Sequence, residues 1–358
     1  MLRKSLPALV LWLLAAALHA QTPAGRIDEA RRMAEALRQE VKSPGLSAAV
    51  AVGGQVVWAE GFGEADVEGR VPVSPESRFR LGSISKLFTA AAVARLVEAG
   101  KLDLDAPVQR YVPSFPEKDQ PITPRQLAGH LAGIRHYTLP DFVRPPKRYA
   151  RVVDGLEIFK DDPLLFPPGS KYFYTSYGYN LLGAVIEGAS GKDFRTTIDE
   201  QVIRPLHLAA TGVDDPERIT PGRVRFYALG ADGAVKNEKP IDSSYKWPSA
   251  GFLATASDLV RFASAHVADG YLKPETRQLL FTSMKTAAGE ETGVGLGWRI
   301  ATDAAGRRFY HHGGAIDGGR AFLLVYPDEK IAVALLANLS GARFAEGEAL
   351  KLAELFRN

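Results

Sequence analysis

The sequence of 358 residues contains no cysteine. This absence excludes disulfide bonds, a cysteine nucleophile and a lipidated cysteine anchor. The sequence also has no block of lysines and arginines, and its formal net charge is +3. Nucleic-acid-binding proteins usually carry a strongly basic surface. We therefore predict that the chain has no nucleic-acid partner.

Several catalytic signatures are also missing. There is no Gly-x-Ser-x-Gly elbow, which argues against an α/β-hydrolase, and no His-Glu-x-x-His metal motif. Two of the seven histidines are adjacent, and the other five show no spacing typical of metal ligands. The glycine-rich stretch 293–297 lacks the strand–turn–helix frame of a dinucleotide or phosphate site. We therefore predict neither a metal nor a cofactor.

The N-terminal segment has the pattern of a secretory signal. Arg3 and Lys4 precede an apolar run over residues 6–18. That run has the length of a signal core and is shorter than the roughly 20 residues needed to span a bilayer. Ala20 is a suitable last residue before cleavage. We predict a signal peptide over residues 1–20 and export to the periplasm or the exterior; an uncleaved membrane anchor is the alternative.

The remaining chain predicts one α+β domain built from both of its ends. Two apolar runs joined by Gly53 and Gly54 indicate an early hairpin, and four more strand patterns fall near the C-terminus. The segments between favour helices interrupted by proline-rich breaks. We predict an antiparallel sheet flanked by helices, with an inserted helical lobe and a site at the junction. The predicted strands cover residues 46–52, 55–62, 297–301, 308–312, 320–326 and 331–339, and the predicted helices cover residues 26–42, 84–98, 181–189, 258–268 and 343–356.

The segment 80–88 places Ser83 and Lys86 at the start of a predicted helix. Residues three apart on a helix lie on one face, and the first turn offers free backbone N–H groups. A serine there can act as a nucleophile when a neighbouring lysine accepts its proton or holds another base ionised. The same spacing recurs at Ser243 and Lys246. That copy has no helix pattern, and we interpret it as a coincidence.

Two later segments carry candidate partners for this serine. Tyr174 lies in the aromatic stretch 168–180 and can exchange a proton if a cation lies nearby; simple packing of the five aromatic rings is the alternative. Further along, the predicted strand 308–312 ends in two histidines that two glycines follow, and such glycines let backbone N–H groups approach a ligand closely. These four residues are His311, His312, Gly313 and Gly314.

The order Ser-x-x-Lys, Pro-Gly…Tyr-x-Ser and His-x-Gly resembles the serine beta-lactamase and DD-peptidase family, the penicillin-binding, class C-like group. The likeness covers nearly the whole mature chain. It implies a beta-lactamase/transpeptidase-like fold and a serine hydrolase domain over residues 21–358. Several non-catalytic segments are similar to the LACTB-like branch of that family. Those segments are 132–137, 159–164, 180–182, 243–247 and 270–276.

The resemblance implies roles for the matching residues. Ser83 would attack a carbonyl group and form an acyl-enzyme. Lys86 and Tyr174 would share the proton transfers as a coupled pair, and which of them is the base stays open. The oxyanion would accept hydrogen bonds from the backbone N–H groups of Ser83 and Gly314.

Two positions depart from the family pattern. His311 stands where many relatives have lysine, and a histidine carries its full charge only at lower pH. Ser176 stands in the place of a frequent asparagine and is too short to contact a substrate amide equally well. The deacylation signature Glu-x-x-Leu-Asn is also missing. These departures favour a peptidase or esterase over efficient beta-lactam hydrolysis.

Two other functions stay open on the sequence. One is beta-lactamase or D-Ala-D-Ala carboxypeptidase activity. The other is a non-catalytic assembly role, since LACTB-like proteins are associated with filaments; retention of Ser83, Lys86 and Tyr174 argues for an enzyme. The partners we predict are a small peptide, ester or beta-lactam-like substrate, and a homo-oligomer or filament is kept as an alternative.

Overall fold

A seven-stranded antiparallel sheet joins the two ends of the chain, in a computed structural model that describes residues 23–138, 141 and 147–357. Its strand order is β3-β2-β1-β12-β11-β10-β9. Strands β4, β8 and β5 form a second, small sheet, and β6 pairs with β7. The strands are β1 (Gly45–Val52), β2 (Gln55–Asp66), β3 (Val71–Pro72), β4 (Phe79–Arg80), β5 (Gly212–Val213), β6 (Tyr227–Leu229), β7 (Val235–Asn237), β8 (Phe252–Ala254), β9 (Arg299–Thr302), β10 (Arg308–Ile316), β11 (Gly319–Tyr326) and β12 (Ile331–Ala337).

Most helices lie in the chain between β4 and β9, and one more lies at each end of the described chain. None of the helices in the described residues is long and apolar enough to cross a membrane. The α-helices are α1 (Pro23–Glu40), α2 (Ser85–Glu98), α3 (Pro124–Ala128), α4 (Ser176–Ser190), α5 (Phe194–Ile198), α6 (Trp247–Ala250), α7 (Ala256–Val267), α8 (Pro274–Phe281) and α9 (Glu346–Leu355). Four 3₁₀ turns cover Gly82–Ile84, Val108–Arg110, Val152–Ile158 and Ser244–Lys246, and a π turn covers Asp199–Ile203.

Helices cover both faces of the large sheet, which explains why its central strands are apolar throughout. Every residue of β12 is buried. Alternate side chains of β12 join two different cores: Ala334 packs with the helices of the inserted lobe, and Val333 packs with α1 and α9. A strand that is buried on both faces reads as a continuous apolar run rather than an alternating one.

The predicted antiparallel sheet with an inserted helical lobe is confirmed. The early hairpin is also confirmed, with Gly53 and Gly54 both at positive φ in its turn. Strand β10 is longer than predicted, because it continues to Ile316 before turning at residues 317–318. The predicted signal peptide lies outside the described residues.

Candidate active site

Ser83 lies in the 3₁₀ turn Gly82–Ile84, immediately before α2, and not within the first α-helical turn as predicted. The Ser85 hydroxyl fixes this turn, since it donates to the Gly82 carbonyl (2.7 Å) and accepts from the Phe252 N–H of β8 (3.1 Å). Ser83 itself is partly exposed, whereas Lys86 on the next turn is completely buried. The turn therefore presents a hydroxyl group to the solvent side and places an amine beneath it.

Three oxygens surround the Lys86 amine. Its Nζ lies 3.2 Å from Ser83 Oγ, 3.1 Å from Ser176 Oγ and 2.8 Å from the carbonyl oxygen of Ser249. In the described part of the chain no carboxylate forms an ion pair with Lys86. Burial, and then the positive charge of Arg299, lower the pKa of Lys86 well below its usual value. Both effects shift Lys86 toward the neutral amine, the form that can accept the Ser83 proton.

The ring of Tyr174 lies beside this amine, with its centroid 4.9 Å from Lys86 Nζ. Burial raises the pKa of the Tyr174 phenol to about 12, and this effect outweighs the lowering by the Ser83 hydroxyl and by Arg299. Tyr174 therefore keeps its proton at neutral pH. The cation that the sequence analysis required near Tyr174 does not bring the pKa of the phenol near neutrality, because burial has the larger effect. The protonated phenol is placed to donate a hydrogen bond.

Ser176 is the first residue of α4, and its side chain lies next to the Lys86 amine. Its backbone N–H donates to His136 Nδ1 (3.1 Å), while its hydroxyl lies within 3.1 Å of Lys86 Nζ. Thr175 caps the helix by accepting from the Gly178 N–H. The Ser176 hydroxyl thus helps to position the Lys86 amine. An asparagine at this place was expected to contact the substrate instead.

The two adjacent histidines, both predicted to bind substrate, point to opposite faces of the sheet, and His311, which the resemblance placed at the lysine position, faces away from Tyr174. His311 packs against Phe309 and Phe322 in the core under α1 and α9. His312 is buried on the site face, 6.2 Å from Tyr174 between ring centroids. Burial is the main cause that lowers the pKa of His312 well below its usual value. His312 is therefore the site-facing residue of the pair, and it is neutral near pH 7.

The same one-residue displacement applies to the predicted oxyanion donor. The Ile300 N–H of β9 points away from β10, because it donates to the Gly293 carbonyl. The backbone N–H of the neighbouring Arg299 therefore points toward β10, where Arg299 pairs with His311. Since N–H directions alternate along a strand, Gly313 and Ala315 point the same way as His311, and Gly314 points toward β11. Strand β9 begins at Arg299, so the Ala315 N–H is left at the open edge.

That open edge packs directly against the Ser83 turn. A Cβ atom on Gly82 would lie 2.6 Å from the Ala315 nitrogen, and Gly82 has a φ of +51°. A Cβ atom on Gly314 would collide with the Leu81 carbonyl oxygen. Only glycine fits both positions, so the backbone of the Ser83 turn lies in direct contact with residues 314 and 315 of β10.

Four further residues surround the site although no sequence motif marked them. His130 Nδ1 accepts from the Thr175 N–H (3.2 Å), and the His130 ring lies 4.5 Å from that of Tyr174. His136 Nδ1 accepts from the Ser176 N–H, and the Ser249 carbonyl accepts from Lys86 Nζ. The guanidinium of Arg299 lies over the Tyr174 ring. Segment 132–137, which resembles the LACTB-like branch, contains His136 but not His130, and its spacing alone indicates no role for either histidine.

The second Ser-x-x-Lys copy forms no comparable pair. The buried Ser243 Oγ has no hydrogen-bond partner within the described residues. Lys246 Nζ lies over the Tyr245 ring, 5.4 Å from its centroid. The interpretation of this copy as a coincidence agrees with these contacts. Across residues 23–138, 141 and 147–357, no group of three or more His, Cys, Asp and Glu side chains is arranged to hold a metal ion.

Comparisons with known proteins agree with this geometry. The beta-lactamase family model matches residues 30–355. The mitochondrial serine beta-lactamase-like protein LACTB of Bos taurus is 32% identical, over 88% of this chain and 74% of its own length. Penicillin-binding protein 4* of Bacillus subtilis (strain 168) is 28% identical, over 85% of this chain and 70% of its own length. The octameric penicillin-binding protein homologue from Pyrococcus abyssi superimposes with a TM-score of 0.79 at 27% identity, over 92% of this chain and 77% of that one.

Replacing Gly82 by alanine tests the close approach of the two backbones. Gly82→Ala is expected to lower the rate of Ser83 modification by a fluorophosphonate roughly 100-fold, because the Cβ must push the turn away from Ala315. Gly53→Ala is the matched control, since Gly53 has a similar φ of +58° and nothing within 4 Å of its Cβ position. It is expected to cost about 1–2 kcal/mol of stability and leave the rate unchanged. Equal rates for the two variants would contradict the account.

The pH dependence of Ser83 modification tests the protonation state of Lys86. Its pKa is lowered, so the neutral amine appears at lower pH than for an ordinary lysine, and the rate is expected to rise with pH to a plateau reached below pH 10.5. Lys86→Arg keeps a positive charge throughout this range, and its rate is expected to stay low at every pH. A wild-type rate that falls between pH 6 and 10 would contradict a neutral amine base.

Proposed function

The chain belongs to the beta-lactamase family of serine hydrolases and is related to LACTB, and from that premise we propose that it is an exported peptidase or esterase acting through an acyl-enzyme on Ser83. The observation that carries the proposal is the 3.2 Å contact between Ser83 Oγ and the completely buried Lys86 Nζ. A serine beside a neutral amine is an activated nucleophile.

In the proposed acylation step, Ser83 Oγ attacks the substrate carbonyl carbon while its proton passes to the neutral Lys86 amine. The N–H groups of Ser83 and Ala315 donate to the oxygen that becomes negative. Tyr174, which keeps its proton, donates to the departing oxygen or nitrogen and is reprotonated from Lys86. Ser176 and the Ser249 carbonyl hold the amine in place during these transfers.

In the proposed deacylation step, water replaces the leaving group and the same pair acts in reverse. Lys86 and Tyr174 together take a proton from the water as it attacks the acyl carbonyl. Ser83 then leaves with a proton from Lys86, which restores the starting state. No carboxylate of the described residues contacts Lys86, so the amine and the phenol are the groups placed to do this work.

The site-facing His312 supports a peptidase or esterase more than an efficient beta-lactamase. Its position on β10 offers no permanent cation, because burial keeps the imidazole neutral at working pH. Beta-lactamase or D-Ala-D-Ala carboxypeptidase activity is the second candidate, and the likeness to a penicillin-binding protein favours it. A substrate comparison separates the two candidates.

Modification of Ser83 tests the proposed function. We expect wild type to be labelled by a fluorophosphonate and to hydrolyse an activated ester, whereas Ser83→Ala does neither. Lys86→Ala and Tyr174→Phe are expected to lose activity while remaining folded. Turnover of esters or peptides well above that of nitrocefin and a D-Ala-D-Ala peptide supports the first candidate. Equal labelling of wild type and Ser83→Ala would refute both, and an unreactive Ser83 in a large assembly would favour the non-catalytic role.

Export is part of the proposal and is supported by the N-terminal sequence alone. Arg3, Lys4 and the apolar run 6–18 have the order of a secretory signal. We expect the mature protein to be recovered outside the cytoplasm with Gln21 as its first residue. Intact mass measurement of the recovered protein checks this, and a mass that includes residues 1–20 would contradict cleavage.

A further inference from the structure

His130 binds the backbone on both sides of Tyr174. Its carbonyl oxygen accepts from the Phe173 N–H (2.9 Å), and its Nδ1 atom accepts from the Thr175 N–H (3.2 Å). Phe173 and Thr175 are the two chain neighbours of Tyr174. A residue whose neighbours are both anchored has little freedom to move. His130 therefore fixes the backbone position of Tyr174.

The His130 ring also lies against the side chain of Tyr174. The two ring centroids are 4.5 Å apart, and the ring planes are tilted by 39°. The His130 ring also lies 5.1 Å from the ring of Tyr179, whose hydroxyl donates to the Ala128 carbonyl (2.8 Å). Because His130 is buried in this close-packed group, its ring cannot turn without displacing the neighbouring rings. One side chain thus supports both the backbone and the phenol of Tyr174.

His130 adopts a backbone conformation that is uncommon outside glycine. Its φ is +61°, in the left-handed region, where histidine, asparagine and aspartate are enriched among the other residues. The His130 N–H donates to the Leu127 carbonyl (3.2 Å) just after α3. Such a conformation persists where the surrounding structure determines it. This turn directs the imidazole toward the segment that carries Tyr174.

The contact with Thr175 requires a neutral imidazole. A ring nitrogen accepts a hydrogen bond only when it carries no proton, so the proton of the neutral His130 ring is on Nε2. Burial is the main cause that lowers the pKa of His130 well below its usual value. The ring is therefore neutral near pH 7, and Nδ1 keeps the lone pair that accepts from the Thr175 N–H.

We propose that His130 is a positioning residue for acid catalysis by Tyr174, because its bond to the Thr175 N–H holds the phenol where it reaches the leaving group. This inference rests on the proposed function, in which Tyr174 donates a proton to the departing oxygen or nitrogen. His130 acts through Tyr174 and exchanges no proton with the substrate. A leaving group that departs readily as an anion gains little from the donated proton, whereas an alkoxide depends on it. Loss of the His130 contact therefore slows the cleavage of poor leaving groups selectively.

The test compares 4-nitrophenyl acetate with ethyl acetate, which give the same acyl-enzyme and differ only in the leaving group. The matched variants are His130→Asn, whose side-chain oxygen takes the place of Nδ1, and His130→Gln, whose amide group takes the place of Nε2. We expect His130→Gln to lower kcat/KM for ethyl acetate about 100-fold more than for 4-nitrophenyl acetate, which is the loss of a modest general-acid contribution. His130→Asn is expected to keep the wild-type ratio of the two values.

Two further comparisons separate positioning from a loss of stability. His266→Asn changes another completely buried histidine, whose ring packs on Phe262 and Trp298, and it is expected to keep the wild-type ratio. Tyr174→Phe removes the acid itself, and adding His130→Gln to it is expected to change the ratio no further. Equal losses with both esters in His130→Gln, or the same ratio in His130→Gln and His130→Asn, would overturn the inference.

Measurements without substrate distinguish failure of this inference from failure of the proposed function. If neither ester shows turnover that depends on Ser83, the proposed function fails, and the Thr175 amide is followed instead. Its hydrogen exchange is expected to be about 10-fold faster in His130→Gln than in His130→Asn, as the loss of one hydrogen bond implies. The ring ¹⁵N resonances of wild-type His130 need no variant to fold, and they are expected to show the proton on Nε2 at pH 7. A proton on Nδ1, or equal exchange in the two variants, would overturn the inference.

Discussion

The burial of the Lys86 amine among neutral oxygens is the constraint on which the site depends. Taking an ammonium group out of water penalises its charged form, and no carboxylate in the described residues offsets that penalty. The amine instead donates to the Ser249 carbonyl and lies 3.2 Å from Ser83 Oγ, whose proton the neutral form can accept. The same loss of solvent raises the pKa of Tyr174, because the charged form of a phenol is the anion. One physical cause therefore yields a base and an acid side by side.

The sheet supplies what the helices do not, namely a straight backbone edge against the nucleophile. Strand β10 extends past the start of β9, and its unpaired edge meets the turn that carries Ser83. Glycine is required at positions 82 and 314, because a Cβ atom on Gly82 would collide with the Ala315 backbone and one on Gly314 with the Leu81 carbonyl oxygen. The lobe inserted between β4 and β9 brings Tyr174 and Ser176 to the same point. The amine, the phenol and the open strand edge thus meet at the junction of the two parts.

The order of motifs was sufficient to predict the fold and to select Ser83, Lys86 and Tyr174, which the structure brings together. Ser83 and Lys86 lie close in sequence, and Tyr174 follows in a recognisable segment. The assignments of His311 and Gly314 failed together and for one reason. Adjacent residues of a strand point to opposite faces, so an error of one position in matching the motif exchanges site and core. Arg299 belongs to no local motif, and only the end of β9 beside β10 makes it a residue of the site.

Titration of Lys86 is the most direct measurement of the central claim. The ¹³Cε resonance of Lys86, assigned by its loss in Lys86→Arg, follows the charge on the amine through a pH series. The account predicts a midpoint well below about 10.4, the ordinary value of a lysine side chain. It also predicts that the midpoint rises in Arg299→Gln, since that variant removes a neighbouring positive charge. A midpoint at the ordinary lysine value would contradict a neutral amine base beside Ser83.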